Sequence, residues 1–311
     1  MQGDGQSGTA GLAARGLEVV DAHVQLINLS ALEYPWIRRR NPVLEALLDN
    51  YYDAAHHYDV GSYRSDVADG RVVRWVACEF GAADAVAEAR WVQHCSEACG
   101  SPDAFIAGVD LTWPSLGGVL ARYRELPVVH AVRQPLYWAD DPRRRLAARS
   151  DYLTDPGWWR GFERMAEEGL AWDLLVYDEQ LPAAHDLIRS FPQTRIVLEA
   201  AGWPLDQGAD GFKRWQERLE TVSQFPNVTL KLQGLALLFG AAPGKLQPWV
   251  RAAIQIFGPQ RCMFATHFPV DRLLWSHDEL IRTLLPMLSD LTAEEQQAFF
   301  SGCATREYQL S

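Results

Sequence analysis

The chain has 311 residues, 48% of them apolar, and its 29 Lys and Arg against 40 Asp and Glu leave a net charge of −11. That balance excludes a general nucleic-acid or anionic-membrane surface, and no apolar run approaches the roughly 18 residues that a membrane span needs. Five cysteines without a CxxC pair argue against a disulfide framework, and the His94, Cys95, Cys99 group lacks the spacing of a zinc site.

Residues 1–16 are small and polar with no apolar segment of signal-peptide type, so a disordered tail is expected there. The single domain then runs over 17–311, and the expected location is cytoplasmic. Along it, β-rich runs fall at 17–25, 72–80, 104–111, 127–136, 171–179, 195–202, 227–234 and 261–268. Most are apolar through the middle, as in parallel strands covered on both faces. Between them lie stretches with apolar residues at three- and four-residue spacing, such as 82–100, which ends in Gly100. Thr292 and Glu295 have the form of a capping box for the last helix.

Eight strands alternating with helices predict an α/β fold, the (β/α)8 TIM barrel. A doubly wound sheet is the rival, but no GxGxxG follows the first strand. The absence of GxSxG removes the usual serine-hydrolase signal.

A barrel gathers its reactive groups where strands run into the following loops. Strand one brings Asp21, His23 and Gln25, which simple alternation places on one face. The next strands bring Glu79, Asp110, then Arg133 and Gln134, with His130 on the opposite face by its offset of three. Strand five offers Tyr177 and Asp178. Strand six ends at Glu199, which alternation against Ala200 turns away, and strand seven holds Lys231 and Gln233. Strand eight ends at His267. Glu79, Arg133 and Lys231 also read as a buried ion-pair set, since buried charges need partners. Trp36, Trp113, Trp138, Trp158 and Trp203 lie near these loops as wall candidates.

With these residues in place, the chain resembles the amidohydrolase-related TIM-barrel enzymes of fuconolactonase-like and pyrone-dicarboxylate-lactonase-like type. The segments that carry the likeness include VVDAHVQL, EYPWI, VRQPLYW, DYLTDPGWWRGF, NVTLKLQGL and RCMFATHFPVDRL, in order from residue 19 onward. The resemblance implies His-x-His on strand one, a His before Ala-Gly after strand six, and an Asp at the end of strand eight. This chain has His23-x-Gln25, Ala200 and His267 at those places. Counted by that pattern, His23 and His267 alone are too few ligands for zinc, so neither a metal nor another cofactor is expected.

The expected chemistry is therefore metal-independent acid–base hydrolysis of a lactone or related ester of a small carboxylate- or hydroxyl-rich molecule. His267 would act as base, since an imidazole titrates close to neutral pH, and His23 would polarise or protonate the leaving oxygen. Arg133 would hold a carboxylate or oxyanion. Gln25, Glu79, Gln134, Trp138, Tyr177, Trp203 and Gln233 would bind the substrate, with Gln25 able to donate and accept at once. One rival is a lyase, decarboxylase, isomerase or cyclase working on an aromatic or polyketide-like acid. Another is a catalytically silent barrel that only binds a ligand. The expected partner is a small molecule, not nucleic acid or membrane, and the oligomeric state stays open.

Overall fold

The structure, a computed structural model, describes residues 16–68 and 70–311. The tail expected over 1–16 lies almost wholly outside the described residues. Eight strands run in chain order: β1 (Val19–Gln25), β2 (Val72–Cys78), β3 (Ala104–Gly108), β4 (Val129–Pro135), β5 (Ala171–Leu175), β6 (Ile196–Leu198), β7 (Val228–Leu232) and β8 (Cys262–Phe264). Each pairs in parallel with the next. Past the end of β8 the sheet nearly closes on β1, through a parallel bridge between Val24 and Phe268. Gln25 N donates to Phe268 O at 2.7 Å and His267 N to His23 O at 3.0 Å. The arrangement is the (β/α)8 TIM barrel.

Local sequence sets the helices between strands. Asp84 caps Ala85–Cys99 by accepting from Val86 N and Ala87 N, and Gly100 ends it with φ of 68°. Thr292 and Glu295 form the expected capping box, but the helix it starts passes into a π-helical turn at Ala298–Gly302. That turn leads to Cys303–Glu307 and then Tyr308, which is buried among the inward residues Val20, Ala22, Ala131, Ala171 and Val197. The C-terminal segment thus plugs the barrel, and the Tyr308 hydroxyl donates to Asp173 Oδ2 at 2.8 Å.

Strand one departs from simple alternation. Its register with β2 shifts between Asp21 and Val24, so Asp21 and His23 do not share a face. Asp21 instead accepts from Tyr63 Oη at 2.8 Å, on the helix Val60–Asp66, and from Thr266 N at 2.9 Å. It is a strut between barrel and helix layer, while His23 turns to the site.

Candidate active site

Beyond the C-terminal ends of the strands lies a cavity of about 330 Å³. Gln25, Glu79, Arg133, Glu199, Gln233 and His267 form its polar lining, and Trp36, Tyr51, Tyr137, Trp203 and leucines from several loops form the rest.

An ion-pair network holds the floor. Arg133 Nε donates to Glu79 Oε1 at 2.6 Å, Nη2 to Glu79 O at 2.9 Å and Nη1 to Glu199 Oε2 at 3.1 Å. The small Gly108, paired with Arg133 across β3 and β4, leaves room for this: a Cβ there would meet Glu79 Cγ at 3.3 Å. Gln233 bridges Glu199 Oε2 at 2.7 Å and Ala200 N at 2.9 Å. Lys231, wholly buried, pairs with Asp173 and lies 3.3 Å from Glu199 Oε1. Burial pushes the Glu199 carboxyl up, but Lys231 and Arg133 outweigh it and hold it well below the usual carboxylate range. Burial likewise works against the Lys231 ammonium, and Asp173 and Glu199 keep it charged.

Beneath the cavity, His23 is fully buried and neither ring nitrogen has a hydrogen bond. Nδ1 lies 3.6 Å from Glu199 Oε1, too long for one. Burial lowers this imidazole well below its ordinary value, against the pull of Glu199, so it is neutral. His267, in the cavity wall, meets His23 edge-on with ring centroids 5.3 Å apart. Its backbone has φ of 63°, a conformation uncommon for a residue with a side chain. Nδ1 faces Asp271 Oδ1 at 3.3 Å, and Ala236 N steadies Asp271 by donating to Oδ2 at 3.2 Å.

The structure thus brings together His23, Gln25, Glu79, Arg133, Gln233 and His267, with Trp203 in the wall. It separates others. Gln134 Oε1 accepts from Leu111 N at 3.1 Å and Trp158 Nε1 at 2.9 Å, so its side chain ties the core outside the cavity. Trp138 lies under the Arg145 guanidinium at 4.5 Å. Tyr177 stacks behind Tyr137 and faces an adjoining surface pocket. None of these three lines the cavity.

Glu199 is the main correction. Alternation turned it away, yet the backbone leaves the strand after Leu198 and enters a turn with left-handed Ala200 and Ala201, which leaves the carboxylate inside. Cys78, Asp173 and Asp271 were also missed. A cysteine ending an apolar strand carries no signal by itself, whereas Asp271 sits one helical turn after His267 in HFPVD.

The donor count from the sequence is corrected as well. Among the described residues, His23, Cys78 and Glu199 bring one ligand atom each to within 4.8 Å of one another. Nitrogen, sulfur and carboxylate oxygen form a set that zinc accepts, and a buried imidazole with both nitrogens unbonded fits a ligand that has its ion still to meet. Metal independence is not supported by this arrangement.

An eight-stranded parallel barrel with an acid–base cluster beyond its strand ends defines a (β/α)8-barrel enzyme. The profile of the family described as Amidohydrolase matches residues 20–310, and the chain belongs to that family. It is an enzyme of hydrolase type. An L-fucono-1,5-lactonase from Burkholderia multivorans is 26% identical over 311 aligned positions, covering 94% of this chain and 96% of its own. The crystal structure of an amidohydrolase with bound zinc, also from Burkholderia multivorans, superposes with a TM-score of 0.77 at 24% identity, covering 94% of this chain and 100% of that one. A 5-carboxyvanillate decarboxylase from Sphingomonas paucimobilis shares the fold with a TM-score of 0.64 at 14% identity, covering 95% of this chain and 100% of that one. Among the described residues, no helix is long and apolar enough to cross a membrane.

Proposed function

We propose that this enzyme hydrolyses a lactone or related cyclic ester, with His267 as the general base. One observation carries the reading: an imidazole oriented by a carboxylate, His267 on Asp271, stands in the wall of a cavity whose floor holds fixed charges. The similarity to an L-fucono-1,5-lactonase supports the choice of ester.

The steps follow from the side chains. With Nδ1 turned to Asp271, Nε2 of His267 takes the proton from a water that attacks the ring carbonyl. Gln25 lines the same floor and its buried Oε1 has no partner, so its amide is unspent and orients the substrate. Arg133, held rigid by Glu79 and Glu199, presents a fixed positive charge as the carbonyl oxygen becomes negative. The proton on His267 then passes to the ring oxygen as the ring opens. His23 lies below the cavity lining and does not meet the substrate, so the protonating role read from the sequence passes to His267. Zinc held by His23, Cys78 and Glu199 would add Lewis-acid polarisation of the carbonyl.

His267→Ala is expected to lose at least about a hundredfold in kcat on a lactone that the wild type opens; near-normal turnover rejects the assignment. Reaction in ¹⁸O-water separates hydrolysis from lyase chemistry, because only hydrolysis leaves solvent oxygen in the product carboxylate. Elemental analysis of the purified protein measures the zinc, and substitution of Cys78 by Ser is expected to lower the amount retained.

A further inference from the structure

We infer that the substrate is an uncharged lactone bearing an apolar chain or ring, not a carboxylated or polyhydroxylated one. This rests on the hydrolytic reading above and names its substrate class. Most of the cavity's charged and amide groups come from the strand ends, and most of its leucines from the loops and short helices beyond them. Toward the mouth, two short helices, Pro42–Leu47 and Leu235–Phe239, contribute Leu44, Leu47, Leu237 and Leu238. Leu146 and Leu175 continue this apolar lining. A substrate that enters reactive carbonyl first therefore leaves its body against leucine.

The leucine-lined part of the cavity offers an acid no partner. The charged Arg and acidic residues in the lining are Glu79, Arg133 and Glu199, two carboxylates against one guanidinium that both already hold. Lys231 is committed to Asp173 and Glu199 and has no exposure. A carboxylate carried on the body of the substrate would lie among these leucines, where the lining holds no cation to pair it. Hydroxyl groups fare poorly for a related reason. Gln233 uses both amide atoms on the protein, Trp36 Nε1 donates to Phe80 O at 2.6 Å, and Asn41 Oδ1 accepts from Val43 N at 2.9 Å. A polyol would find the Tyr51 and Tyr137 hydroxyls and the Gln25 amide, but along the leucines it would lose its water without partners, whereas methylene groups gain by leaving water.

The test is a series of δ-lactones with alkyl tails of increasing length, compared with tails ending in a carboxylate and with a sugar δ-lactone. kcat/KM is expected to rise about fourfold per methylene until the tail fills the cavity. The carboxylate-ended tail should lose at least about a hundredfold against its methyl-ended counterpart. Binding of the matching δ-lactams, which resist ring opening, is followed in parallel by the fluorescence of Trp36 and Trp203 in the cavity wall. Faster opening of the sugar or carboxylated lactone overturns the inference and leaves hydrolysis standing. Lactam affinity that climbs with tail length, with no lactone opened, supports the inference and overturns the hydrolytic reading. Flat dependence on tail length in both assays overturns the inference.

Discussion

Gln134 and Arg133 are consecutive in β4 and were expected to serve one site, yet they face opposite layers. Arg133 enters the ion-pair floor, while Gln134 accepts from the Leu111 amide and the Trp158 indole in the core. Gln134→Leu is therefore expected to destabilise the fold by about 1–3 kcal/mol, the cost of leaving buried donors unpaired, while KM for a lactone stays unchanged. Urea unfolding together with steady-state kinetics checks both parts. A rise in KM at unchanged stability would return Gln134 to the substrate. At this scale the sequence showed which residue types stand near strand ends, because strand positions were legible. It did not show their side-chain directions, since a single irregularity reverses them: the register shift in β1 parts Asp21 from His23. The early end of β6 brings Glu199 in by the same means.

The elements follow their local code closely, and the exceptions lie where two elements touch. Each of the eight strands starts within two residues of the run read from hydrophobicity, as β2 at Val72 and β7 at Val228 show, because continuous apolar runs flanked by turn residues mark buried parallel strands. Close approach between elements left no such mark. Gly161, on the buried face of the helix Pro156–Glu167, lies against the loop after β3 so tightly that a Cβ would stand 2.1 Å from Leu111 O. The backbone there cannot yield as a flexible side chain would. Gly161→Ala is expected to cost about 1–3 kcal/mol or more, read as a lower urea midpoint at constant m. An unchanged midpoint would mean that helix and loop part freely.

Across the whole molecule, three imidazoles share one consequence of burial. Desolvation lowers His23 well below its ordinary value and also lowers His130 and His185. The folded protein resists charging them, His23 most of all, while the unfolded chain takes up protons near pH 6.5. At these rings the unfolded state binds more protons below that point, so their contribution to stability falls as the pH drops toward the folded values. For His23, fully buried, the loss at pH 5.5 is up to about 1.4 kcal/mol. Denaturant midpoints at pH 7.5 and 5.5, on protein stripped of metal by a chelator, read this together with the opposite contribution of Asp173, whose carboxyl burial pushes up to about 7. His23→Gln should raise the pH 5.5 midpoint relative to that at pH 7.5; a pH difference unchanged from wild type would show that the His23 ring takes up its proton in the folded state.

The sequence by itself determined the barrel, its strand order and its chemistry-bearing strand ends, because apolar periodicity and turn residues are local properties that each segment carries alone. Only the tertiary structure decided which of those groups converge. The ring of strands brings His23, Cys78 and Glu199, 176 positions apart from first to last by 199 − 23, within 4.8 Å of one another. Closure between β1 and the end of β8 likewise sets His267 beside His23. Convergence depends on bulges, strand ends and closure between distant segments, and none of these is encoded within a single stretch of chain.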